Sequence, residues 1–307
     1  MNEAMNEAMN ERRVGLDHQD PMLRPFIEVE AKIVREVVGE LKGEGAPARE
    51  IVGTIAEMVQ TDAETGARSM SERVSGGRRL PLACAEGCSY CCHSSTVHAS
   101  TPEILRIASW LKEHRSPAEL ADLKARSAAA AERIAPLDLA GRAREKVACP
   151  LLDPTAGRCT VYEVRPISCR AYHSGSVEAC KRAHDDGEAN PILPIDPPLF
   201  QVAHAHGFGM MTALVSEGLD AGPYDLTAAL PVALESELDE RWLAGEKVLP
   251  HTRLSEDASV GYELVLGQLA ADLREGRLNV AEGIARRLDP EARRKDRNRR
   301  KREKRRR

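Results

Sequence analysis

The chain has 307 residues, enough to bury a sizeable core in one large domain or two smaller ones. Aromatic residues make up only 3% of the chain, while Ala, Leu, Glu and Arg are abundant, and this balance favours helix over sheet. The formal net charge is −4, and no apolar run approaches the roughly 18 residues that cross a bilayer, so the sequence excludes a membrane-spanning protein and predicts a soluble, cytoplasmic one.

The first part of the chain divides into a polar region and an amphipathic region. Residues 1–24 repeat Met-Asn-Glu-Ala and then stay polar, which predicts a disordered N-terminus without the basic start and apolar centre of an export signal. Within residues 25–78, two apolar runs at helical spacing, 33–41 and 51–59, lie on either side of Pro47. This pattern predicts a helical hairpin.

All eight cysteines lie in the middle region, residues 79–195. The cysteines form two groups, and helices are predicted between these groups. Ser100 and Glu103 have the spacing of a capping box, and Pro117 begins an Ala-rich stretch. The one short strand candidate is Thr160-Val161-Tyr162.

The last part of the chain returns to helical patterns before it becomes basic. Residues 196–288 are predicted to be a C-terminal helical region, with apolar stripes over 199–214 and 262–273, and residues 289–307 a basic tail. The predicted fold is therefore mainly α, with an irregular cysteine-rich metal-binding centre embedded in a helical domain.

Cysteines cluster in two arms, which we define as 84–92 and 149–180. Thiolates spaced two to four residues apart on loops containing Gly, Pro and Ser can converge on one soft cation, as they do in zinc and iron-sulfur sites. The predicted metal ligands are Cys84, Cys88, Cys91, Cys92, Cys149, Cys159, Cys169 and Cys180.

Two structural explanations for the cysteines are less favoured than metal binding. A disulfide framework is typical of short secreted chains, and nothing at the start of this sequence would export it. Buried free cysteines would be scattered along the chain as small apolar residues are, whereas four of these fall within nine residues.

The joint pattern of both arms resembles a known family. The first arm reads Cys84-x3-Cys88-x2-Cys91-Cys92, and the second includes Cys149-Pro-Leu-Leu, Gly157-Arg-Cys-Thr-Val-Tyr-Glu-Val-Arg-Pro-x2-Cys169-Arg-x-Tyr172 and Glu178-Ala-Cys180. This is similar to the YkgJ-type cysteine-cluster family, the CxxCxxCC zinc- or iron-chelating domain, over roughly residues 80–195. The resemblance implies metal chelation by the eight cysteines. The first spacing departs from the family name, with three residues in place of two.

The eight thiolates suit two four-thiolate sites, or one cluster with cysteines to spare for structure or redox chemistry. Adjacent side chains point to opposite faces of an extended strand and diverge by about 100° in a helix. Cys91 and Cys92 are therefore expected to serve two sites, or two metals of one cluster. The predicted cofactor is an iron-sulfur cluster (4Fe-4S) or zinc, with iron slightly favoured because a larger inorganic core accepts adjacent cysteines.

Several charged or polar neighbours are candidates for supporting roles. Arg165 and Arg170 are predicted to offset the negative charge of the thiolates and to donate N–H groups to sulfur. The alternative is that they are ordinary surface arginines or are paired with Glu. A histidine could replace a thiolate, and the candidates are His93, His98, His173 and His184. His204 and His206 are expected to face different sides of a helix and not to form a metal pair.

The leading functional prediction is a metal-binding protein with a structural, redox or metal-handling role. An enzyme is the alternative, because Cys84-x3-Cys88-x2-Cys91 is also the spacing by which radical S-adenosylmethionine enzymes hold a four-iron cluster, and a flagellin lysine methylase is similar in its cysteine motif. Those radical enzymes use a β/α barrel, which the sequence does not predict.

The C-terminal tail suggests a polyanion as a second partner. Residues 293–307 contain twelve Lys or Arg and two acidic residues, a net charge of +10 that leaves −14 on the rest of the chain. Such a tail could bind nucleic acid without sequence preference, or fold back on the acidic body. The candidate nucleic-acid contacts of a zinc-stabilised protein are Arg293, Arg294, Lys295, Arg299, Arg300 and Lys301.

Overall fold

Helices account for most of the computed structural model, which describes residues 20–76, 82–93, 95–153, 155–188, 193–235, 238–249, 256–278 and 298. The helices are α1 (Arg24–Gly43), α2 (Ala48–Val74), α3 (Thr101–His114), α4 (Pro117–Ile134), α5 (Leu139–Glu145), α6 (Ile167–Ala171), α7 (Val177–Asp186), α8 (Pro197–Ser216), α9 (Leu226–Ala233), α10 (Leu238–Leu243) and α11 (Glu256–Arg274). Two 3-10 turns span Tyr90–His93 and Tyr162–Val164. The predicted mainly α fold is confirmed. Most of the predicted disordered N-terminus, and the basic tail apart from Asn298, lie outside the described residues.

Helix α8 lies at the centre of the core, with α1 and α2 packed along it and α11 against it. Its residues are buried around the whole circumference, as expected of a helix surrounded by protein. Close packing depends on Gly209, because a Cβ atom there would lie 2.6 Å from the carbonyl oxygen of Ile27 on α1. None of the helices in the described ranges is both long and apolar enough to cross a membrane.

The two histidines of α8 face different partners, as the sequence predicts. The Nδ1 atom of His204 lies 2.9 Å from the carbonyl oxygen of Phe200. His206 is 1% exposed, and its Nδ1 lies 2.7 Å from a carboxylate oxygen of Glu30, which is fully buried on α1. Its Nε2 faces α2 at Gly66, where a Cβ atom would approach to 2.5 Å. His206 therefore belongs to the packing of three helices rather than to the cysteine region.

The strand candidate Thr160-Val161-Tyr162 is wrong. Thr160 donates both its N–H and its hydroxyl to the carbonyl oxygen of Leu151, and the chain then enters a 3-10 turn at Tyr162. The described strands are instead β1 (His98–Ala99) and β2 (Tyr224–Asp225), which pair antiparallel.

The predicted capping box at the start of α3 is confirmed. Glu103 accepts hydrogen bonds from the N–H and the hydroxyl of Ser100 at 2.9 and 2.7 Å. A second capping box, formed by Ser116 and Glu119, lies at the start of α4. These local signals fix the starts of the two longer helices between the cysteine arms.

Candidate metal centre

Two tight turns shape the first arm. Gly87 has a φ of +94°, which an L side chain would disfavour, and the N–H of Cys88 closes the turn on the carbonyl oxygen of Ala85 at 3.1 Å. The 3-10 turn that follows carries both Cys91 and Cys92. Four cysteines are thereby held on a short, irregular backbone whose amides are not committed to a long helix.

In the second arm, a loop is followed by two short helices. Asp153 accepts N–H bonds from Thr155 and Ala156 at 2.8 Å each, and an isolated β-bridge pairs Leu152 with Cys159. This turn brings Cys149 and Cys159 back beside each other. Cys169 then lies on α6 and Cys180 on α7.

Main-chain hydrogen bonds bring the two arms together. The N–H of Cys149 donates to the carbonyl oxygen of Cys92 at 2.7 Å, and the N–H of Ala83 donates to the carbonyl oxygen of Ser174 at 2.8 Å. Ser174 also donates its own N–H to the sulfur of Cys84 at 3.2 Å. The cysteine arms, separated by two long helices in sequence, therefore meet in space.

Aromatic contacts place α7 against the 3-10 turn of the first arm. The ring of His184 on α7 lies 5.7 Å from the ring of Tyr90 and 5.4 Å from that of His93, measured between centroids. The pKa of His93 is lowered mainly by burial and to a smaller extent by the neighbouring His184. Cys180, one turn before His184 on α7, is thus directed to the same side of the molecule as the 3-10 turn.

Glu103 connects the second arm to the helical core. While one carboxylate oxygen caps α3, the other accepts the N–H of Ile167, the first residue of α6, at 2.7 Å. The Glu103 carboxylate is buried, since the residue is only 4% exposed. The sequence identifies the capping box but not the second bond, because nothing in the local pattern links Glu103 to α6.

The thiols are all free and lie close enough to influence one another. Burial raises the pKa of Cys84, and the nearby thiols of Cys180 and Cys91 raise it further. Burial also raises the pKa of Cys88, where the nearby thiols are those of Cys84, Cys91 and Cys180. Burial also raises the pKa of Cys149, to about 12.

The second arm forms a similar group. Burial raises the pKa of Cys169, and nearby Cys149, Cys91 and Cys159 add to the rise. Cys91 is a neighbour of cysteines in both arms, and the main cause that raises its own pKa is a hydrogen bond between its side chain and that of Cys92. The expectation that Cys91 and Cys92 serve two sites, or two metals of one cluster, stays a prediction.

Backbone amides and one arginine act against burial and lower the pKa values of the cysteines. The amide two residues further on favours the thiolate at Cys88, Cys149 and Cys159. The positive charge of Arg165 lowers the pKa values of cysteines in both arms, namely Cys84, Cys91, Cys159 and Cys169. The environment thus contains the groups that stabilise sulfur in its metal-binding form.

The two predicted arginines occupy different positions. The guanidinium carbon of Arg165 lies 4.0 Å from the centroid of the Tyr162 ring, and its buried Nε has no hydrogen-bond partner among the described residues. Arg170 bonds to the carbonyl oxygen of Arg165 at 2.7 Å, to the carbonyl oxygen of Glu163 and to the carboxylate of Glu64. Arg170 therefore holds the loop that presents Arg165, and its described hydrogen bonds go to oxygen rather than to sulfur.

A small, solvent-open cleft lies at the junction between the arms. Its lining includes Cys92, His93 and Cys149, together with Arg142, which forms an ion pair with Asp225 at 2.5 Å. His98 lies near this ion pair, and burial lowers its pKa. The cleft therefore borders one cysteine of each arm.

The donor set fits a soft metal ion. Eight thiols, amides that favour thiolate and a cationic side chain are what zinc or an iron-sulfur cluster requires of its surroundings. In the described ranges, no three His, Cys, Asp or Glu side chains already converge tightly enough to hold an ion. Metal binding would draw the sulfurs together, as expected where binding and local folding are coupled.

A family comparison supports the same chemistry. Residues 83–187, about a third of the chain, match the family model CxxCxxCC, described as "Putative zinc- or iron-chelating domain". No curated protein and no solved structure matches the chain significantly. The central region that bears all eight cysteines is therefore a domain of the CxxCxxCC family.

Proposed function

We propose that this protein binds zinc or an iron-sulfur cluster through the thiolates of its CxxCxxCC domain, and that the metal has a structural, redox or metal-handling role. The observation that supports this most directly is the junction of the two arms, where Cys149 donates its N–H to the carbonyl oxygen of Cys92 and the sulfur of Cys84 accepts the N–H of Ser174. These bonds bring cysteines from distant parts of the sequence into one region.

The location of the apolar core indicates what the metal would organise. The largest fully buried side chains lie outside the two cysteine arms, most of them in α1, α2 and α3. The cysteines themselves are half-buried or exposed. A metal would therefore order the irregular arms rather than create the helical core.

The radical S-adenosylmethionine alternative gains no support from the fold. Those enzymes mount their cluster in a β/α barrel, whereas the described part of this chain is helical with a single pair of two-residue strands. The same cysteine spacing can serve a structural or redox centre as readily as an enzyme.

Metal content and identity test the proposal together. We expect full-length protein purified without oxygen to contain either iron with acid-labile sulfide and a brown colour, or about two zinc ions per chain without colour. Elemental analysis, sulfide determination and an absorption spectrum distinguish these outcomes. Protein that carries neither metal, and takes up neither after reconstitution, would refute the proposal.

Substitution of single ligands tests the assignment of the residues. Replacing Cys88, Cys159 or Cys169 by Ser should lower the metal content per chain and the thermal stability of the cysteine region. Thr155→Ala is the matched control, because Thr155 is exposed in the loop of the second arm and lacks a sulfur ligand. Unchanged metal content in all three cysteine variants would contradict the assignment.

A further inference from the structure

Helix α6, which carries Cys169, is only five residues long and too short to be stable by itself. Three of its other residues are nevertheless held by different elements of the fold. Arg170 pairs with Glu64 of α2, and the Ser168 hydroxyl donates to a main-chain carbonyl oxygen of β1. The remaining contact, at the first residue of the helix, comes from α3. Cys169 therefore lies between residues that other elements hold in place.

Glu103 of α3 makes this remaining contact through a carboxylate whose described partners are all hydrogen-bond donors. One oxygen accepts the N–H and the hydroxyl of Ser100, while the other accepts the N–H of Ile167 at 2.7 Å and lies 3.5 Å from the Nε2 of Gln60. The N–H of Ile167 belongs to the first turn of α6 and has no acceptor within that helix. Both Glu103 and Gln60 are buried, so water is kept away from these bonds.

The first arm is supported differently. Cys91 and Cys92 lie on a four-residue 3-10 turn, and Cys91 is exposed to solvent. The second arm, in contrast, presents Cys169 from a short helix that is anchored to α2, α3 and β1. A side chain anchored in this way can meet a metal ion without first being ordered by it.

We propose that Glu103 is a positioning residue of the metal centre. Its carboxylate holds the first turn of α6 on α3, so that Cys169 is in place before metal binds and the first arm closes on it. Groups that orient a metal ligand raise the affinity of the site without touching the metal. This inference rests on the proposed metal-binding function and adds a residue outside the cysteine arms that supports it.

Glu103→Gln separates the two roles of this carboxylate. Gln is compatible with a capping box, so its oxygen can keep the bonds to Ser100. Its NH₂ group then faces the N–H of Ile167, and two donors meet without an acceptor between them. The matched control is Glu119→Gln, because Glu119 forms the same capping box at α4 and its described hydrogen bonds all go to Ser116.

A third variant separates position from stability. Ser100→Ala removes a hydroxyl from the start of α3 but keeps the bond from Ile167 to Glu103, so it should lower the denaturation midpoint of the metal-free protein.

Metal affinity is measured on full-length, reduced protein by competition for Zn²⁺ with a chromogenic chelator. We expect Glu103→Gln to lower the affinity by about 10- to 100-fold, as the loss of a group that orients a ligand does. Glu119→Gln and Ser100→Ala change only a helix cap, so their affinities should stay within about twofold of the wild type. An unchanged affinity in Glu103→Gln, or an equal loss in Ser100→Ala, would overturn the positioning role.

Amide hydrogen exchange in the wild-type protein, followed by nuclear magnetic resonance, does not depend on the folding of a variant. The Ile167 N–H should exchange slowly in the metal-free protein and equally slowly with Zn²⁺ bound, because its acceptor is already in place. Amides of the first arm should gain protection when Zn²⁺ binds. Fast exchange of Ile167 in the metal-free protein would overturn the inference while leaving metal binding intact. Wild-type protein that holds no metal as purified and takes up no Zn²⁺ would refute the proposed function as well.

Discussion

Arg165 shows how one side chain can serve several ligands at once. Its guanidinium packs over Tyr162, its Nε is buried without a described partner, and its charge acts on cysteines of both arms. A buried cation is costly unless it faces negative charge. The thiolates that form on metal binding provide this charge, so we propose that Arg165 stabilises the metal-bound state.

Substitution of Arg165 should therefore weaken metal binding without removing a ligand. We expect Arg165→Gln to lower the metal affinity by about 10- to 100-fold, and Arg165→Lys to recover part of the loss because it keeps the charge. Competition with a chromogenic chelator measures both affinities.

Arg158 provides the matched control. It is an exposed arginine of the same domain, and Arg158→Gln should bind metal within about twofold of the wild type. Equal losses in the Arg158 and Arg165 variants would show that only the overall charge matters.

The sequence predicts the ligand types better than their individual roles. Cysteine spacing is local, and it identifies a metal-binding region without any knowledge of the fold. Arg165 and Arg170 lie five residues apart in the same arm, yet the charge of Arg165 acts on the thiols while Arg170 holds the loop. Arg170 also pairs with Glu64 of α2, a tertiary contact that no local pattern reveals.

At the scale of helices and strands, packing around α8 depends on the absence of a side chain at Gly209. A Cβ atom there would meet the Ile27 carbonyl oxygen at 2.6 Å, the Glu30 Cβ at 2.7 Å and the Ala31 nitrogen at 3.2 Å. Two of these atoms belong to the α1 backbone, so a small side-chain movement cannot relieve the clash. Any larger residue would push α1 away from α8.

Gly209→Ala should accordingly lower the free energy of unfolding by about 1 to 3 kcal/mol. Gly39→Ala is the control, because Gly39 is an exposed position within α1 with nothing within 4 Å of an added Cβ atom. There the better helix propensity of Ala should raise stability by about 0.5 to 1 kcal/mol. Chemical denaturation monitored by circular dichroism compares the two, and a neutral or stabilising effect at position 209 would argue against the described contact of α1 with α8.

Helix boundaries follow from the sequence because their signals are local. The capping boxes at Ser100 and Ser116 and the prolines in the first turns identify where α3 and α4 begin. The β1–β2 pairing could not be predicted in this way, since its two strands are only two residues long and far apart in the sequence. Nor could the burial of Glu30 against His206, where an acidic residue occupies a position within the core.

For the whole molecule, the distribution of charge suggests that the tail acts separately from the metal region. Deleting residues 293–307 removes a net charge of +10. We expect the truncated protein to keep its metal content and to lose any salt-sensitive binding to nucleic acid, since such binding scales with the number of phosphates neutralised. Retention on an immobilised polyanion across a salt gradient measures the effect, and a full-length protein that is not retained at low salt would contradict the nucleic-acid prediction.

The β1–β2 pair joins the segment that matches the family to residues that lie outside the match. The family match ends at residue 187, yet β1 lies inside the matched region and its partner β2 lies outside it. Beside this pair, Thr101 donates its N–H to the carbonyl oxygen of Ala221, and Leu226 donates to that of Val97. A gene fusion that transplanted only the matched segment would sever these bonds and expose an unpaired strand edge. We therefore expect the segment recognised by its cysteines to be more stable when residues 221–226 accompany it, since these residues supply its hydrogen-bond partners.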